Sequence, residues 1–190
     1  GNSVFLGAYA GNSNTTGDGV MAIGKSCYNQ ADTEGNNLAI GRESMSGAVA
    51  GGEFNVAIGN YTLDALTSAD NNVAVGYNAG TAVTTGDDNT FIGYGAGDAV
   101  TTVSDLTGVG ANALGANTSG IRNTAVGFEA GLTNTNGDDC TFIGYRAGYV
   151  ANAANLGATI VGSEAGKALT SGLYNTCLLY TSPSPRDRTR

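Results

Sequence analysis

The sequence predicts an all-β fold: a parallel β-solenoid, or β-roll, of about ten 17-residue coils. Three observations predict it. A tripeptide ending in glycine recurs along the chain at an almost constant interval. The composition is too poor in large apolar residues for a round core. No segment carries the 3.6-residue period of an amphipathic helix.

The recurring tripeptide sets the register. Its glycines are Gly7, Gly24, Gly41, Gly59, Gly76, Gly93, Gly110, Gly127, Gly144 and Gly162, spaced 17 apart except for two intervals of 18. We call these the anchors. An eleventh copy opens at Asn175-Thr176. The residue before each anchor is aliphatic: Leu6, Ile23, Ile40, Ile58, Val75, Ile92, Val109, Val126, Ile143 and Val161. Three before the anchor stands Val, Leu, Met or Thr, and between the two stands Ala or Phe in most copies. Positions two apart share one face of a strand, so each copy opens with a strand that is apolar on both sides. The larger Ile/Val column is expected inside. The Ala/Phe column (Phe5, Ala22, Ala39, Ala57, Ala74, Phe91, Ala125, Phe142) is expected on the outer face, as a stripe for other chains to cover.

The corner follows the strand. Three past the anchor the residue is small: Ala10, Cys27, Ser44, Thr62, Ala79, Ala96, Ala113, Ala130, Ala147 and Ala165. One further on, six of the ten copies have a second glycine, where positive φ and close backbone approach are both permitted. A second short strand is expected next. It begins at an apolar residue seven past the anchor (Ala31, Ala48, Leu66, Val83, Val100, Ala151, Leu169). It continues with a threonine column (Thr15, Thr67, Thr84, Thr101, Thr118, Thr135, Thr170) broken at Asp32, Val49 and Asn152. Turn segments such as "TTGDDN" and "TNTNGDD" close each coil. Stacking at about 4.8 Å per layer makes ten coils a rod of roughly 45–50 Å.

Composition bounds the function. The 190 residues include 31 glycines and no histidine or tryptophan, with a formal net charge of −8. The acidic balance offers no basic footprint for nucleic acid. No apolar run reaches membrane-spanning length. Without histidine, Ser-His-Asp and Cys-His catalysis and His-based zinc sites are excluded. Cys27, Cys140 and Cys177 show neither metal spacing nor a disulfide framework. No catalytic, cofactor-binding or metal-binding residue is assigned.

One motif invites another reading. "GVMAIGKS", residues 19–26, matches the phosphate-loop pattern G-x-x-x-x-G-K-[ST]. That loop needs a strand before it and a helix after it. Here Gly24 is an anchor, the strand lies inside the motif and no helix pattern follows, so nucleotide binding is not expected. The acidic pairs at 87–88 and 138–139, with Asp18 and Asp70 at equivalent places, read as turn residues. The aromatics Tyr9, Tyr61, Tyr77, Tyr94, Phe128 and Tyr145 read as covers over a strand end.

Residues 177–190 stand apart: glycine vanishes, both prolines appear and arginine clusters. "CLLYTSPSPRD" resembles the in-frame translation of a sequencing-library adapter. Residues 1–176 are expected to form one elongated repeat domain, and 177–190 a non-native, unstructured tail. The chain opens at Gly1 and reads as a fragment.

The stretches "NSVFLGAYAGNSNTTGD", "NNVAVGYNAGTAVTTGDDNTFIGYGAG" and "NTAVGFEAGLTNTNGDDCTFIGYRAG" resemble two related things. These are the heads of YadA-type trimeric autotransporter adhesins and, more closely, the repeat arrays of tail-fibre-domain proteins. The resemblance covers residues 2–176. It implies a left-handed roll, a homotrimer, and an extracellular place in a bacterial surface fibre or virion tail fibre touching a host-surface receptor or glycan. From the residues alone, a second reading stays open: a monomeric solenoid binding ice, glycan or calcium through its Thr, Tyr or Asp column.

Overall fold

The fold was described from a computed structural model covering residues 1–150, 155–169 and 172–178. Among these residues there are strands, turns and bends and no helix. The strands are short. They are β1 (Val4–Leu6), β2 (Met21–Ile23), β3 (Leu38–Ile40), β4 (Val56–Ile58), β5 (Val73–Val75), β6 (Thr90–Ile92) and β7 (Thr107–Val109). There follow β8 (Thr124–Val126), β9 (Thr141–Ile143), β10 (Asn155–Leu156), β11 (Thr159–Val161), β12 (Gly172–Leu173) and β13 (Thr176–Leu178).

Eleven of them form one parallel sheet, ordered β1 to β9, then β11 and β13, and β10 pairs with β12. Register follows the repeat residue for residue: Val73 faces Thr90, Ala74 faces Phe91 and Val75 faces Ile92. The chain is therefore a β-solenoid of about ten coils. The boundary drawn at residue 176 falls inside β13, where Cys177 and Leu178 pair with Ile160 and Val161. Residues 179–190 lie outside the described residues.

The anchor must be glycine because the coils approach closely there. A Cβ on Gly76, at φ +140°, would sit 2.4 Å from the Gly93 carbonyl oxygen, and one on Gly59 2.0 Å from that of Gly76. Backbone in the next coil cannot yield that space. Each anchor N–H from Gly24 onward donates to the preceding coil, as Gly76 does to the Ile58 carbonyl at 2.8 Å.

The interior differs from the expectation: the two faces of the strand are reversed. Ala22, Ala39, Ala57, Ala74, Phe91, Ala125, Phe142 and Ile160 are fully buried, while Phe5, in the first coil, is exposed at 38%. The aliphatic residue before each anchor is only half-buried or exposed, with Ile92 at 40%. The physical reason is width. A coil of 17 residues encloses too little space for two β-branched columns, and packing at crystal-like density selects the column that fits.

What fits is a complementary pair. The central strand residue meets the residue four past the anchor of its own coil. Alanine is matched by a large partner in Ala22/Tyr28, Ala39/Met45 and Ala57/Leu63, with all six fully buried, whereas Ala74 and Ala125 are paired with Gly80 and Gly131, beside which the next coil's Phe91 and Phe142 rings lie. Phe91, Phe142 and Ile160 are matched by Gly97, Gly148 and Gly166, whose added Cβ atoms would strike those side chains. Gly108 is matched by the buried Leu114.

A second interior column consists of asparagines four before the anchor: Asn37, Asn55, Asn72, Asn89 and Asn123, all buried. Each Oδ1 accepts the N–H of the equivalent residue one coil on. Examples are Asn72 N to Asn55 Oδ1 at 2.9 Å and Asn89 N to Asn72 Oδ1 at 3.0 Å. Each Nδ2 donates across the interior, as Asn72 does to the Gly86 carbonyl at 2.9 Å. The amides of this column are thus satisfied without water, whereas both polar atoms of the buried Asn117 side chain have no partner among the described residues.

The expected second strand does not form around the threonine column. The backbone bends there, and one carbonyl takes two amides: Thr67 N and Ser68 N both donate to Thr84 O, at 2.9 and 3.2 Å. That pattern stacks coils but is not a strand ladder. Ala151, Asn152 and Thr170 lie outside the described residues.

Candidate functional site

The reversal of the strand places the candidate surface. The residues three and one before each anchor point outward along the eleven-stranded sheet, two columns wide. Over β1 to β5 both columns are aliphatic: Val4 and Leu6, Met21 and Ile23, Leu38 and Ile40, Val56 and Ile58, Val73 and Val75. From β6 onward the first column is threonine, at Thr90, Thr107, Thr124, Thr141, Thr159 and Thr176, beside Ile or Val up to Val161 and Leu178 at the end. Among the described residues no other segment packs over this face: Met21, Val126 and Ile143 are exposed on it, and Ile40, Ile58 and Val75 are half-buried. An apolar stripe of this length is what sequence reasoning expected, carried by the other column.

Beside it runs an aromatic row. The Tyr77 and Tyr94 rings lie parallel, with centroids 5.6 Å apart and planes 6° apart. Tyr61 meets Tyr77 edge-on at 5.7 Å. Phe128 stacks on Tyr145 at 5.5 Å. Arg42 lies 4.7 Å over the Tyr61 ring and also donates to its hydroxyl. Arg146 lies over Tyr145 at 5.3 Å and pairs with Glu129 at 2.7 Å.

The threonine column is a backbone-tethered row. Thr67 Oγ1 donates to Thr84 O at 2.8 Å, Thr84 to Thr101 O at 3.1 Å and Thr118 to Thr135 O at 3.2 Å. These three protons are thereby committed along the coil axis, whereas the Thr135 hydroxyl donates within its own coil to Asn136 Oδ1 at 3.4 Å.

The acidic residues are mostly tethered too. Asp70 Oδ1 accepts Glu53 N at 2.7 Å, Asp87 Oδ1 accepts Asp70 N at 2.8 Å, and Asp138 Oδ1 accepts Ile121 N at 2.9 Å. These bonds run between coils; Asp18 Oδ1 likewise accepts Asn2 N from the preceding coil, and also Gly19 N at 2.8 Å. Asp139 is held below the usual carboxylate range by its hydrogen bonds from Arg122. Among the described residues, no three His, Cys, Asp or Glu side chains gather as metal ligands would. A polar groove of about 480 Å³ opens over Gly35, lined by Asn2, Thr16, Asp18, Thr33, Asn36 and Glu53.

The lysine motif dissolves into the repeat. Met21–Ile23 is strand β2 and Lys25-Ser26 is its corner. Ser26 N donates to Ala8 O at 2.8 Å, into the preceding coil and away from any converging cradle of amides. No described helix is long and apolar enough to cross a membrane.

Neither models of protein families, nor curated proteins, nor solved structures gave a match to this chain. The functional reading therefore rests on the surface itself. Sequence reasoning found its period and aliphatic content, and missed which column it is and the switch to threonine at Thr90. That switch was readable in the aligned copies, once the outward column was known.

Proposed function

We propose that this chain is a non-catalytic shaft segment of a homotrimeric surface or tail fibre, with the outward sheet face as the contact between chains. The observation that carries the reading is the outward face of eleven in-register strands, with an unbroken aliphatic column and, over β1 to β5, a second one, left open among the described residues. A stripe of that extent is a liability on an isolated soluble rod and an asset at an interface. Every coil presents the same face, so rotation about one axis parallel to the rod buries all coils at once, which suits cyclic symmetry. The resemblance of the repeat to trimeric adhesin heads and tail-fibre arrays supports the number three and an extracellular or virion setting. The groove over Gly35, with its hydroxyl, amide and carboxylate lining, suits contact with a host glycan.

Sedimentation equilibrium tests the assembly. The expected mass is three times the 18.9 kDa chain. Ile58→Glu with Val75→Glu, both on the outward columns, is expected to yield a folded monomer. A wild-type chain that stays monomeric at high micromolar concentration overturns the reading.

A further inference from the structure

We propose that Tyr77 and Tyr94 form an oxidative cross-linking site, where a peroxidase-type one-electron oxidant joins the two rings as dityrosine and ties one coil covalently to the next. Both residues directly follow an anchor, so stacking brings them to the same place in successive coils. Coupling requires that an oxidant reach both phenols and that the two radicals meet before they are quenched. Both side chains are exposed, Tyr77 by 45% and Tyr94 by 59%, and their centroids are 5.6 Å apart. Exposed tyrosines can rotate about two side-chain torsions, enough to bring ring edges together.

The neighbouring aromatics are less suited. Tyr61 meets Tyr77 edge-on, and the Arg42 guanidinium sits over its ring. A positive charge there opposes removal of an electron from the ring. Tyr145 stacks on Phe128, which has no phenol to oxidise, and Arg146 lies 5.3 Å from the Tyr145 ring.

The chemistry balances. Each phenol gives up one electron and its hydroxyl proton, leaving a phenoxyl radical. The carbons ortho to the two oxygens join. The two ring hydrogens displaced at those carbons move to the oxygens and restore both phenols. The two electrons and two protons released reduce one hydrogen peroxide to two waters. The link spans residues 17 apart in the chain, so it restricts the unfolded state as a disulfide of that loop length does.

The test treats the folded chain with a haem peroxidase and hydrogen peroxide. Expected are dityrosine fluorescence, a digest peptide pair joining Tyr77 to Tyr94, an unchanged chain mass on a denaturing gel, and a raised Tm. Tyr77→Phe should reduce the yield several-fold, while Tyr149→Phe should leave it unchanged. An unaltered yield in Tyr77→Phe overturns the proposal. So do products mainly between chains, products scattered over the tyrosines as in a denatured control, and no product at all.

Discussion

A Cβ built on Gly97 would lie 2.4 Å from Cδ1 of Phe91, and Phe91 is fully buried. This coil's interior therefore holds the ring on the strand and has no room for a side chain at the corner as well. Gly97 also has φ +62°, where a side chain adds backbone strain. Gly97→Ala is expected to cost about 3 kcal/mol, the sum of modest overpacking and strain. The double change Phe91→Ala with Gly97→Leu reproduces the Ala57/Leu63 pair. It should be more stable than the sum of its single changes implies, measured as coupling in a denaturant double-mutant cycle. Strict additivity would refute the complementary pairing.

Neighbouring residues on one strand should respond in opposite ways. Phe91→Ala is expected to cost about 3–5 kcal/mol, as for a buried ring. Ile92→Thr, on the outward column, is expected to cost less than about 1 kcal/mol in the isolated chain. Hydropathy alone ranks these two positions as similar. Urea titration at concentrations below self-association checks the order.

Asn72 holds two coils together from inside. Asn72→Ala removes the acceptor for Asn89 N and the donor to Gly86 O. Orphaning buried backbone groups costs about 1–3 kcal/mol each, so a loss of at least about 2 kcal/mol is expected by urea titration. Amide exchange should quicken at Asn89 more than at Gly76, whose bond to Ile58 is untouched.

Cys27 links stability to pH. Its thiol is fully buried, and desolvation pushes it from the ordinary value of 9.0 up to about 11. The folded chain keeps this proton where the unfolded chain releases it. Stability is thus expected to fall as pH rises from about 9 to about 11. Cys27→Ser should flatten that limb of the denaturation profile. At pH 8 the native Cys27 thiol should resist a disulfide reagent and react once the chain unfolds.

Glu34 acts on the acid side. Burial raises its carboxyl, but hydrogen bonds from its own N–H, from the Thr33 hydroxyl and from the Thr33 and Asp32 N–H groups outweigh that and hold it below the usual range. Its contribution is present above the ordinary glutamate value and lost as pH falls through the lowered one. Glu34→Gln should therefore lose stability at neutral pH and show a shallower acid limb, followed by thermal melts across pH 3–7.

Period, register and class of fold were legible in the order of residues. A glycine every seventeenth residue, preceded by an aliphatic residue, can satisfy its backbone only by pairing with its own copy in the next coil, so Val73 opposite Thr90 was implied before any coordinates. The tertiary structure alone decided which face looks inward. Alternation separates Ala74 from Val75 but cannot orient them when both are apolar. That choice depends on the volume enclosed by the whole coil, set by residues elsewhere in it, such as Gly97 opposite Phe91 and Leu63 opposite Ala57. The same holds for the asparagine column, whose amides find partners only once the coil has closed.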